Sequence, residues 1–68
     1  MVEVDARGLS CPEPVMNTLK AMKANPDETI EVLVSDAVPR DNVEKMAVKR
    51  GKSVKIEEIG SDYKLTIS

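Results

Sequence analysis

The spacing of apolar residues changes period three times within the first fifty residues, and this constrains the fold more than any other feature. In "VEVDA", Val2, Val4 and Ala6 alternate with Glu3 and Asp5, the two-residue period of a half-buried strand. From Pro12 the period lengthens: Val15, Leu19 and Met22 fall at i, i+4 and i+7 with Met16 beside them, one apolar stripe of a helix. "ANPDE" stops that helix, because a residue before proline is driven out of the helical region. "TIEVLVS" returns to alternation with Ile30, Val32 and Val34 on one side and Leu33 as an exception on the other. "DAVPRDNVEKMAVKRG" is a second helix with Pro39 in its first turn, Val43, Met46, Ala47 and the stem of Arg50 on one face, and Gly51 closing it. "SVKIEEI", a "GSD" turn and "YKLTIS" form a hairpin with Val54, Ile56, Tyr63, Leu65 and Ile67 inward.

The expected order is β-α-β-α-β-β. Each helix has one apolar stripe and each strand one apolar face, so the simplest assembly is an α+β two-layer sandwich. Two helices cover one face of a four-stranded mixed sheet. The other face would show Glu3, Asp5, Glu31, Lys55, Glu57, Lys64 and Thr66 to water. With 68 residues there is material for one domain, 1–68, and for a core of about 3–5 kcal/mol net stability. Chemistry at the surface is expected rather than in a deep pocket. With no Phe, no Trp and a single Tyr, branched aliphatics must do the packing.

Composition also excludes functions. A net charge of −2 with one aromatic residue argues against direct nucleic-acid binding, which wants basic and stacking side chains. No apolar run approaches the ~18 residues that span a bilayer, and "MVEVDARG" has no apolar signal region, so the cytoplasm is the expected location. Without histidine there is no Cys–His nucleophile pair, and one cysteine offers neither a zinc site nor an internal disulfide. No metal and no cofactor is expected; Met16 and Met22 are expected in the core and not as soft-metal ligands.

The remaining chemistry is in "RGLSCPEP", residues 7–14. Cys11 lies between the first strand and the first helix. Pro12 suits a first helical position, which would make Cys11 the N-cap, Glu13 N2 and Pro14 N3. The helix dipole favours a thiolate there. Pro14 has no N–H to offer and the Glu13 carboxylate competes for the same dipole, so moderate activation is expected. The two prolines stiffen the turn, and Gly8 is free to take positive φ. The competing reading is a lone cysteine acting as a small buried hydrophobe. Its position off the apolar stripe, beside Ser10, favours a reactive thiol. Lacking a base, metal or second cysteine, such a thiol can accept a group, hold it and hand it on. Sulfane sulfur, carried as a persulfide, is an apt cargo. Arg7, Lys20, Lys23 and Arg40 are candidate partner contacts, against the plainer reading of a turn residue and solvated helix charges; Arg40 and Asp41 are expected near Cys11.

"DARGLSCPEPVMNTLKAM", residues 5–22, resembles the TusA/SirA-like sulfur carriers with their Cys-Pro-x-Pro motif. Asp5, Gly8 and Leu9 before the motif, and the second helix and closing hairpin after it, extend the likeness over nearly the whole chain. The resemblance implies a sandwich like the C-terminal domain of translation initiation factor 3. It also implies Cys11 as the persulfide site, positioned by Gly8, Leu9, Pro12, Glu13 and Pro14. The implied donor is a cysteine desulfurase or a rhodanese-like protein. A downstream acceptor would use the sulfur in tRNA thiolation, cofactor synthesis or related trafficking, including thiosulfate uptake with a membrane permease. The alternative is a non-catalytic interaction or regulatory module associated with a transporter or with selenium or thiosulfate metabolism. A thiol redox sensor is a third reading.

Overall fold

A computed structural model describes residues 1–68. Its elements are β1 (Val2–Asp5), α1 (Glu13–Ala24), β2 (Ile30–Val34), α2 (Ala37–Lys49), β3 (Val54–Ile59) and β4 (Asp62–Ile67), in the order the periodicity predicts. The sheet is mixed, with strand order β1-β2-β4-β3. β1 pairs parallel with β2, Val2 opposite Ile30 and Val4 opposite Val32; β4 is antiparallel to both β2 and β3. α1 packs on β1 and β2, α2 on β4 and β3, and the helices pack on each other, which gives two layers.

The register aligns the inward residues into one apolar layer. Ile30, Val32, Val34, Leu65 and Ile67 come from the two central strands, Val43 and Ala47 from α2, Met22 from α1, and Ala6 from just beyond β1. Ile30, Leu65 and Ile67 are at most 1% exposed. Burying one such side chain is worth about 1.5–3 kcal/mol, so a few of them match the whole net stability of a domain this small.

The buried face of α1 differs from the stripe expected from apolar spacing. Pro14, Thr18 and Met22 are buried, Val15 and Leu19 only half-buried, and Met16 is 61% exposed rather than in the core. The reason is local. The Thr18 hydroxyl donates to the Pro14 carbonyl at 2.8 Å, which satisfies its polar group inside the helix and lets the side chain be fully buried. Arg50, expected along the apolar face of α2, is instead its exposed C-cap, and Gly51 follows at φ 78°.

The uncovered sheet face is polar and interlocked. Glu3, Asp5, Lys55 and Glu57 are exposed, while Glu31, Lys64 and Thr66 are half-buried, with Lys64 and Glu31 3.5 Å apart. Leu33 lies on this face, half-buried, in the row Asp5–Leu33–Lys64–Glu57.

The parallel pairing positions the site. α1 follows β1, α2 follows β2, and these strands run the same way. Both helices therefore start at one end of the sandwich. β3 runs the same way again, so the β3–β4 turn reaches that end too.

Candidate functional site: the cysteine corner

Cys11 is exposed, within the segment that leads from β1 into α1. That segment begins with a backbone bond from the Ala6 N–H to the Leu33 carbonyl at 2.8 Å, which extends the sheet one step past β1. Arg7 then turns back over Asp5. Its Nε and Nη2 donate to the two carboxylate oxygens at 2.9 and 2.8 Å, and its backbone N–H donates to Oδ1 at 3.2 Å. The same guanidinium lies 3.7 Å from Asp62 at the start of β4. The hydrogen bonds from the Arg7 side chain and then its backbone hold the Asp5 carboxyl down to about 2. In return, chiefly through Asp5, the guanidinium is held more firmly protonated than usual. Arg7 thus sits over the uncovered sheet face, joining β1 to β4.

Gly8 follows at φ 78°, a conformation that costs other residues about 1–2 kcal/mol. Its N–H donates to the Ser35 hydroxyl at 2.9 Å, and Ser35 is the first residue after β2. Leu9, half-buried, packs against the core. The Cys11–Pro12 peptide bond is cis.

The N-cap of α1 is Pro12, not Cys11; helical residues begin at Glu13, and Pro14 is therefore N2 rather than N3. The Glu13 N–H donates to the Ser10 carbonyl at 3.0 Å, so it is not offered to the sulfur. The geometry that would have set the thiol on the axis of the helix dipole is replaced by another contact. The Asn42 side-chain amide, in the second turn of α2, donates to Cys11 Sγ at 3.1 Å. Pro14, in the first turn of α1, is fully buried. Pro12 and Glu13 are exposed beside the sulfur in sequence.

The other candidates are distributed differently. Arg40 is in the first turns of α2, stacked over Tyr63 at 4.7 Å from the ring centroid and bonded through Nε to Asp41 at 3.0 Å. The Asp41 hydrogen bond raises its pKa further. Neither Arg40 nor Asp41 reaches the sulfur; their neighbour Asn42 does. Lys20 and Lys23 are exposed on α1, about two and three turns beyond Glu13, away from Cys11. Met16 and Val38, in the first turns of α1 and α2, are exposed apolar side chains at the same end of the sandwich as Cys11. Nowhere in the fold do three or more His, Cys, Asp or Glu side chains converge as metal ligands would. The chemistry this corner can offer is that of one accessible sulfur with a neutral hydrogen-bond donor beside it.

Comparison with known proteins agrees with this architecture. Residues 2–68 match the family described as sulfurtransferase TusA. The chain belongs to the TusA family. A relative from Archaeoglobus fulgidus, whose given name is that of a sulfur carrier protein, is 36% identical over 64 residues, covering 93% of this chain and 88% of its own. The crystal structure of a SirA-like protein from Desulfitobacterium hafniense superposes with a TM-score of 0.91 at 31% identity, covering 98% of this chain and 95% of that one. The fold is therefore that of the TusA and SirA-like sulfur carriers, and membership of this family implies dealings with sulfur-donating and sulfur-accepting proteins. No helix is long and apolar enough to cross a membrane.

Proposed function

We propose that this TusA-family chain accepts sulfane sulfur on Cys11 as a persulfide and relays it to a second protein. The observation that carries this reading is the exposed Cys11 sulfur, the only thiol of the chain, beside a neutral amide and no base. Such a thiol suits exchange of sulfur between thiolates, which needs access and an attacking sulfur but no bound metal or general base. The donor is a cysteine desulfurase or a rhodanese-like protein, and the acceptor is an enzyme that brings its own catalytic groups. If the sulfur ends on tRNA, that enzyme holds the RNA, because a chain of net charge −2 with one aromatic residue has little to offer it. A reducing compartment such as the cytoplasm keeps the thiol free between cycles. Gly8 and Leu9 shape the approach to Cys11. The exposed Met16 and Val38 give a docking partner apolar contacts at the same end of the molecule.

The test is incubation with a cysteine desulfurase and cysteine, followed by intact-mass measurement. Wild type should gain sulfur and Cys11→Ala none. No gain by wild type, or equal gain by the variant, would sink the reading. A non-catalytic interaction module predicts that outcome, with partner capture unchanged by Cys11→Ala.

A further inference from the structure

We propose that Asn42 is a catalytic group of the sulfur relay, acting on Cys11 as leaving group when sulfur is delivered. The inference rests on the carrier reading and goes beyond it by assigning a second residue and a direction. The Asn42 amide nitrogen lies 3.1 Å from Cys11 Sγ, and no other side chain donates a hydrogen bond to that sulfur. The two residues are 31 positions apart in sequence and meet only because both helices begin at the same end of the sheet. Asn42 itself is half-buried, adjacent to the fully buried Val43, so its backbone is fixed by the core.

In loading, the Cys11 thiolate attacks the outer sulfur of a donor persulfide. A Cys11–S–SH forms, and the electron pair of the broken S–S bond leaves on the donor's thiolate. In delivery, an acceptor thiolate attacks the outer sulfur of Cys11–S–SH. The acceptor becomes the persulfide and keeps the proton, and the electron pair of the broken bond returns to Cys11 Sγ. Negative charge therefore develops on Sγ during delivery and is withdrawn from it during loading. A donor fixed on Sγ stabilises charge as it appears there, which accelerates delivery. In loading charge leaves Sγ, so the same contact is weakened on the way to the transition state and gives no acceleration.

The asymmetry is the test. Wild type, Asn42→Ala and Asn42→Asp are loaded with glutathione persulfide and discharged with glutathione, each step followed by intact mass. Alanine is the better helix former, so loss of the helix is not at issue. Asn42→Ala should deliver about 3–10-fold more slowly, the effect of one ordinary hydrogen bond, while loading changes by less than about 2-fold. Asn42→Asp, which sets a carboxylate beside the departing thiolate, should deliver about 10-fold more slowly or worse. Delivery by Asn42→Ala at the wild-type rate, equal slowing of both steps, or wild-type delivery by Asn42→Asp would each overturn the role of Asn42 and leave the carrier reading standing. A wild type that takes up no sulfur overturns both.

Discussion

The two helices start in unlike ways. α2 follows β2 after only Ser35 and Asp36, whereas α1 follows β1 after the seven residues 6–12. Each first turn carries a buried proline, Pro39 in α2 and Pro14 in α1. Neither has a side-chain N-cap hydrogen bond. The short corner is fixed by the sheet before it and the core beneath it. The long one makes an excursion that brings a sulfur to the surface, and much of its support comes from elsewhere: Ser35 receives the Gly8 N–H, Asn42 reaches Cys11, and Asp62 attracts Arg7. The lesson is that a small domain can expose a reactive group on a long loop when a neighbouring tight corner acts as the brace. The dependence should then be one-sided, with damage to the brace costing more than damage to the loop.

The largest effect expected from that asymmetry is at Val43, which anchors the bracing helix and is fully buried. Val43→Ala removes two methyl groups and leaves a cavity that a sheet and two helices can only partly close. The expected loss is about 2–3 kcal/mol, against a net stability of about 3–5 kcal/mol for a domain of this size. Urea denaturation followed by circular dichroism would read it. A loss below about 1 kcal/mol would show that the second corner does not carry the load assigned to it.

Gly8 tests the loop directly. Space around it is open, so an added methyl group meets nothing within 4 Å, and the cost of Gly8→Ala is that of positive φ alone. The expected loss is about 1 kcal/mol, a fall of roughly 4–8 °C in melting temperature for a domain of this size. Thermal unfolding of the two proteins side by side decides it. An unchanged midpoint would mean that the loop relaxes to another conformation at no cost, and the claim that it is held in one shape would fall.

Much of this contrast was legible in the residues and part of it was not. Strand alternation located every strand, because the register places residues two apart on one face throughout. The exposed thiol followed from its place off the apolar stripe. The buried face of α1 departs from its apolar stripe because its inward positions include Pro14 and a hydroxyl, Thr18, which an apolar count passes over; the hydrogen bond from Thr18 to the Pro14 carbonyl is what lets the hydroxyl be buried. The N-cap shifted by one residue because the chain turns at Cys11 and Pro12 and the Glu13 N–H is taken by Ser10. Asn42 was hidden for a different reason. A single Asn on a helix shoulder is ordinary, and only the parallel pairing of the first two strands brings it to the sulfur. The available signal was its place next to Val43, near the start of the helix that begins beside the cysteine loop.

The smallest effect expected separates the supports of the loop by their response to acid. Ser35 and Asn42 are neutral and hold at any pH, but Asp5 holds Arg7 only as a carboxylate. Its folded-state value, about 2, lies below the ordinary value near 4, so ionised Asp5 favours the folded state. That contribution is complete above about pH 4 and is lost as pH falls from there toward 2. Both partners are largely exposed, so the gain is small and screened by salt. Stability measured in urea between pH 5 and pH 2 should therefore fall more for wild type than for Asp5→Asn, and the difference should shrink in molar salt. Parallel pH profiles would show that the Arg7 clamp adds nothing to folding. The loop would then be held from the α2 side alone, an even more lopsided arrangement than the one described.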